Sequence, residues 1–260
     1  MSIEVILRRD RWIVLAALAS LGGVAWVYMV REARAMDLSG VCCCAGMAMS
    51  GPDTHPWSLA TLPPLFLMWS EMMVAMMIPS AAPMILTFAR VNRKRREREE
   101  PYVATAIFVS GYLLVWTGFS AVAAVAQWVL HGRSLLSATM VSNSPWLGGT
   151  LLIVAGLFQW SAWKNACLTH CRSPLSFLMT DWKEGREGAF VMGLKHGAYC
   201  TGCCWFLMSL LFVAGVMNLF WIAVLSILVL LEKVLSRGLV VGRISGAFLI
   251  AWGIWMLAIA

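Results

Sequence analysis

The chain has 260 residues, of which 60% are apolar and 13% charged, with a mean hydropathy of +0.77 and a formal net charge of +7. A water-soluble domain carries about 25% charged residues and must cover its outside with polar groups, so this composition excludes a soluble globule and points to a membrane-embedded bundle. The positive charge falls in short clusters beside apolar runs, which marks topology and excludes nucleic acid as a partner.

A spanning helix needs about 20 mostly apolar residues. The first predicted span covers 12–30, behind Arg8, Arg9 and Arg11. Ala33-Arg34-Ala35 resembles a signal-peptidase site, but an h-region is shorter, about 7–15 residues, so an uncleaved membrane helix is expected over 1–35. A loop over 36–60 follows, predicted to be periplasmic, with Cys42, Cys43, Cys44, Met47, Met49, Asp53 and His55. Its thiols could bind metal or form disulfides. Three adjacent cysteines do not fit one tetrahedral site, which suits loose capture of an ion.

The second span covers 62–88 and ends at the densest basic run, Arg90, Arg93, Lys94, Arg95, Arg96 and Arg98. Met68, Met72 and Met76 recur every four residues, with Met73 and Met77 beside them. Thioether sulfur is a weak, soft ligand that accepts Cu(I), although methionine is also an ordinary core filler. Glu71 lies about nine residues into this span, roughly 14 Å deep. A carboxylate at that depth costs on the order of 3 kcal/mol, so Glu71 is expected to face the bundle interior with a partner. Pro79 and Pro83 free backbone carbonyls and are expected to kink the helix.

The third span covers 102–129 and the fourth 146–163, followed by a mixed segment over 164–187. Gly215 to Asn218 is expected to divide the next apolar tract into a fifth span at 197–214 and a sixth at 219–232. The last covers 239–258. His131 reads as an interfacial residue, and Glu232-Lys233 as an end anchor from which Glu232 could turn inward. With seven spans the basic clusters collect on one side, which is the cytoplasm by the positive-inside rule. The expected architecture is thus an all-α, polytopic bundle in the bacterial inner membrane, N-terminus cytoplasmic, with the metal-binding part over 61–260.

Two clusters carry the chemistry. Cys167, His170 and Cys171 fall just past the inner end of the fourth span, and His196, Cys200, Cys203 and Cys204 at the inner start of the fifth. Positions i, i+3 and i+4 share a helix face, so each cluster forms one stripe. Together they could supply three or four thiolate and imidazole ligands suited to Cu(I) or Zn(II). Lys164, Arg172 and Lys195 would help hold thiolates. Free cysteines often pack as small hydrophobes, but five with two histidines at helical spacing favour metal or redox chemistry.

The segments 68–80 (Met-Trp-Ser-Glu-Met-Met-Val-Ala-Met-Met-Ile-Pro-Ser), 163–174 (Trp-Lys-Asn-Ala-Cys-Leu-Thr-His-Cys-Arg-Ser-Pro) and 193–205 (Gly-Leu-Lys-His-Gly-Ala-Tyr-Cys-Thr-Gly-Cys-Cys-Trp), with Gly215-Val-Met-Asn218 ahead of Glu232-Lys233, resemble a bacterial family. It is domain-of-unknown-function family 2182, described as predicted metal-binding integral membrane proteins. The resemblance spans roughly 60–240. It implies Met72, Met76, Cys167, Cys171, His196, Cys200, Cys203 and Cys204 as ligands, and leaves the Cys42–Cys44 loop outside.

The function expected is binding of a soft transition metal, Cu(I) ahead of zinc or iron, for transport or for delivery to a periplasmic metal carrier or metalloenzyme. The ion would pass from the outer loop, by Glu71 and the methionine stripe, to the inner Cys/His site. The alternative is a transmembrane thiol–disulfide relay through Cys200 and Cys203, a C-x-x-C pair, which would make the protein an oxidoreductase. A structural metal, or haem on His170 and His196, stands further back. No P-loop is present, which excludes a self-contained P-loop pump.

Overall fold

The computed structural model describes residues 3–39, 59–96, 103–133 and 144–259, and every regular element among them is helical. The Cys42–Cys44 loop, with Met47, Met49, Asp53 and His55, lies outside the described residues.

Ten α-helices follow in order: α1 (Ile3–Ser39), α2 (Leu62–Arg96), α3 (Thr105–Gly132), α4 (Pro145–Phe158), α5 (Ala162–Arg172), α6 (Pro174–Asp181), α7 (Gly185–Ser209), α8 (Leu211–Ala214), α9 (Leu219–Val234) and α10 (Gly238–Ala258). Among the described residues five segments are long and apolar enough to cross a membrane. These are Trp12–Arg34, Leu59–Arg95, Thr105–Gly132, Gly185–Ala214 and Gly238–Ala258, and Pro145–Phe158 is a shorter apolar helix. The protein is a multi-pass helical bundle.

The expected fourth and sixth spans correspond to α4, with 14 residues, and α9, with 16. Both fall short of the roughly 20 residues of a full crossing. Local chemistry sets their lengths. Ser161 accepts from Lys164 N at 3.1 Å and caps a new helix, so α4 stops at Phe158 and α5 starts at Ala162. Gly215, at φ 97°, closes α8, and the Asn218 side chain caps α9 by accepting from Trp221 N at 3.3 Å. The break expected at 215–218 is therefore present. The fifth span starts earlier than expected, at Gly185, because the apolar run Ala189-Phe190-Val191-Met192 continues the helix ahead of Lys195.

Helix α2 is the centre, packed on α1, α3, α6 and α9, while α7 packs on α3, α4, α5 and α9. α2 stays helical through Pro79 and Pro83. Proline removes the hydrogen bond to the carbonyl four residues back. The carbonyl freed by Pro79 belongs to Ala75, and Trp26 Nε1 of α1 donates to it at 3.1 Å. Two contacts depend on glycine. At α3–α7, a methyl on Gly193 would overlap the Phe108 carbonyl; at α4–α10, one on Gly149 would lie 2.6 Å from Leu257 Cγ. Such small-residue contacts let backbones approach where lipid removes the hydrophobic drive.

Candidate metal centre

Cys200, Cys203 and Cys204 stand one turn apart on α7, and all three are buried, with Cys200 fully enclosed. The helix α5, packed on α7, adds Cys171 from the side. Cys171 and Cys204 both lie near enough to Cys200 and Cys203 to interact with them, so the four cysteines share one neighbourhood. The thiols of Cys203 and Cys204 also donate to the Cys200 carbonyl, both at 3.0 Å. This is the back-bonding open to a short polar side chain within a helix. All of these cysteines are free thiols.

A lysine enters the cluster from a third helix. Lys233 Nζ, at the end of α9, donates to Cys200 Sγ at 2.9 Å and to Ser80 Oγ of α2 at 3.1 Å, and the residue is only 8% exposed. Tyr112 of α3 closes the fourth side. Its hydroxyl lies 3.2 Å from Cys200 Sγ and donates to Met77 O at 3.2 Å. Ser80 itself donates to Met77 O at 3.0 Å and lies 4.0 Å from Met77 Sδ. The cluster thus rests on α2, α3, α5, α7 and α9.

Next to it lies a second buried polar group. Lys164 Nζ pairs with Glu232 Oε2 at 2.7 Å and donates to Gln159 Oε1, and both charged residues are 1% exposed. Charges removed from water persist only when paired in this way. Glu232 Oε1 and Gln159 Nε2 are buried without a protein partner.

The sequence-predicted residues divide accordingly. Cys171, Cys200, Cys203 and Cys204 come together. His196 lies one turn before Cys200, buried among Tyr112, Phe108 and Phe177 at ring separations of 5.5, 6.1 and 6.0 Å, and its Nδ1 has no partner. Cys167 stands at the edge, against Gly202, and burial together with the Cys203 sulfur pushes its thiol up from the ordinary value. His170 is exposed and stacks on Tyr199, with centroids 4.3 Å apart, so it is not brought to the cluster. Met72 and Met76 are buried in the core, but Met77 is the α2 methionine whose backbone and sulfur meet the cluster's partners.

Glu71 is half-buried and turns to α1, where Glu32 and Tyr28 are its charged and polar neighbours. The cluster itself lies 15 residues along α7 from Gly185, about 22 Å along a helix that begins ahead of the expected fifth span.

The donors fit a soft ion, since thiolates, an imidazole with an orphaned nitrogen and thioethers all favour Cu(I). As they stand, no three His, Cys, Asp or Glu side chains among the described residues converge as a metal shell. Two causes are visible: Cys203 and Cys204 are turned to the Cys200 carbonyl, and Lys233 occupies one flank of Cys200. Sequence reasoning missed Lys233, Tyr112, Ser80 and Met77 as the cluster's polar frame. The signal for Lys233 was its adjacency to Glu232 at a helix end, which equally describes an anchor.

No curated protein and no solved structure matches the chain. A family model described as PpoB2, a copper chaperone, matches residues 66–256, from α2 through α10 and across every element of the sulfur cluster. The chain belongs to this copper chaperone family.

Proposed function

We propose that this protein binds Cu(I) at Cys171, Cys200, Cys203 and Cys204, with His196 as an additional donor, and passes it to a partner metalloenzyme or periplasmic metal carrier. The observation that carries this reading is four sulfurs gathered from two helices inside an apolar bundle. Copper is the cargo, and zinc or iron would have to compete for the same thiolates. Cys167 and His170 flank the site as candidate relay positions. The loop at Cys42–Cys44 would collect the ion, and Glu71, Met72 and Met76 would hand it inward, with Met77 as the last thioether before the cluster. We place the protein in the bacterial inner membrane with a cytoplasmic N-terminus. α4 and α9 complete seven passes where the bilayer thins locally around them. The motifs also resemble the family of predicted metal-binding membrane proteins, whose implied ligands include Cys171, Cys200, Cys203 and Cys204.

Copper content by mass spectrometry tests this, on detergent-purified protein loaded with Cu(I) under reducing conditions. Wild type is expected to retain about one copper per chain, the number a single thiolate site can hold, and Cys200→Ser/Cys203→Ser to lose it. Equal copper in both proteins would place the site elsewhere. Burial weighs against the thiol relay, because exchange needs an attacking thiol with access to the disulfide. A Cys203→Ser variant that trapped a mixed disulfide in cells would reverse that judgement.

A further inference from the structure

One short helix beside the cluster is lightly held. α6 follows directly on α5 and packs on α2 and α5. Its inner face buries Phe177 and Leu178, while Leu175 and Met179 on the other face are 57% and 78% exposed. Both of its ends are joints next to fixed points. Ahead of it, Arg172 donates to Leu235 O at 2.7 Å and to Ser236 O at 2.6 Å, and Ser173 then leaves helical geometry at φ −115° and ψ 67°. Behind it, Arg95 pairs with Glu184 at 2.6 Å, and Gly185 adopts φ 75°, the left-handed region that glycine tolerates. A further tie, Asp181 to Lys195 of α7, is a partly exposed ion pair, and such pairs hold weakly.

Phe177 of this helix stands between the buried cluster and the outside of the bundle. His196, one turn ahead of Cys200, is 3% exposed, and its ring lies 6.0 Å from that of Phe177. Tyr199 meets Phe177 edge-on at 6.3 Å and carries His170 stacked on it at 4.3 Å. An imidazole thus stands at each end of a row of four rings, His196 inside and His170 exposed, with Phe177 and Tyr199 between them. Neither intervening ring offers a soft donor. An ion moving between the two imidazoles has to get past both.

We propose, on the reading that the sulfur cluster binds a soft ion, that α6 is a hinged plug. When it lifts from α2 and α5, Phe177 withdraws from His196 and the ion exchanges between the cluster and His170. Tyr199 belongs to α7 and stays with the cluster, so Phe177 is the moving half of the barrier. The swing is open to α6 because Phe177, Leu178 and one ion pair dock it, and local opening takes place at such lightly held segments. The hinges are the residues that flank it, Ser173 on one side and Gly185 on the other, as in closures that turn on a few element-terminal positions. A site closed at rest can in this way still pass its cargo on. Phe177 sets the rate of that transfer and leaves the binding itself to the sulfurs.

The test is exchange kinetics on the full chain in detergent with a non-thiol reductant, using Ag(I), a soft monovalent ion stable in air. Uptake, and release to an excess of soluble chelator, are followed by mass spectrometry of the protein-bound silver. Phe177→Ala is expected to speed uptake and release alike by about tenfold or more, within what deleting a buried ring can yield. Affinity and the silver bound at saturation should stay as in wild type. Asp181→Asn, which loosens the tie to α7, should speed both by about twofold. A plug moves the two rates together, whereas a damaged site raises release alone. Phe177→Ala that exchanges Ag(I) at the wild-type rates, or that speeds release without uptake, overturns the proposal. If that variant does not fold, hydrogen exchange of the wild type decides: amides over 174–181 as protected as those of α7 overturn it. Wild type that binds no Ag(I) removes the metal reading itself, a separate failure.

Discussion

Tyr112 shows how one side chain ties the bundle to its chemistry. Its hydroxyl joins the Met77 carbonyl of α2 to the Cys200 sulfur of α7, each at 3.2 Å. Tyr112→Phe keeps the ring against His196 and removes only the oxygen. It should cost about 1 kcal/mol of stability and weaken Ag(I) binding measured by competition with a chelator. Unchanged affinity would show that the tyrosine serves packing alone. Glu232→Gln is expected to be harsher, because it leaves Lys164 charged, buried and unpaired. Breaking such a pair costs about 3–5 kcal/mol, to be read as a lowered unfolding temperature in detergent. The sulfur cluster was legible at this scale, since i, i+3 and i+4 spacing places Cys200, Cys203 and Cys204 on one face whatever the tertiary contacts. The reach of Lys233 into the cluster and the nearness of Glu32 on α1 to Glu71 on α2 were not legible. Each needs two helices brought together, and no local pattern encodes which helices meet.

Among the elements, α3 and α7 set the precision of the site because their glycines admit no alternative spacing. Gly193 of α7 sits against the Phe108 carbonyl and Gly111 of α3 against Phe190, while a methyl on Gly118 of the same α3 would meet no other helix within 4 Å. Gly193→Leu is therefore expected to separate the two helices and reduce the yield of folded, monodisperse protein. Gly118→Leu should leave it unchanged. Equal behaviour of the two would mean that the close approach is not required. The long apolar helices α1, α2, α3, α7 and α10 could be read from the sequence, because length and hydropathy suffice for them. The shortening of α4 and the separate α5 could not. The helix break at Trp160-Ser161 is marked by the Ser161 cap, a contact of one hydroxyl with Lys164 N that starts α5.

At the scale of the whole molecule, the ends of α2 and α7 meet on one side. Arg95 pairs with Glu184 at 2.6 Å and stacks over Trp182 at 4.9 Å, beside the basic run that positive-inside counting assigns to the cytoplasm. Glu184→Cys should react with a membrane-impermeant maleimide only in inverted vesicles. Labelling in intact cells with an accessible periplasm would reverse the orientation and, with it, the proposed direction of copper movement. The fold class followed from composition alone. The expected orientation rests on a few arginines and awaits this labelling, and the number of passes was not legible, because the two short helices fall between a crossing and a buried core helix.

The tie between Trp26 and the carbonyl freed by Pro79 has an evolutionary consequence. Inside lipid an unsatisfied carbonyl is costly, so the proline is tolerable only where the indole already waits opposite it. Losing Trp26 should hurt this chain, yet be nearly silent in a Pro79→Ala background, where the backbone amide at 79 reclaims Ala75 O. The two positions would then have been acquired in a fixed order, tryptophan before proline, and can be lost without penalty only in the reverse order.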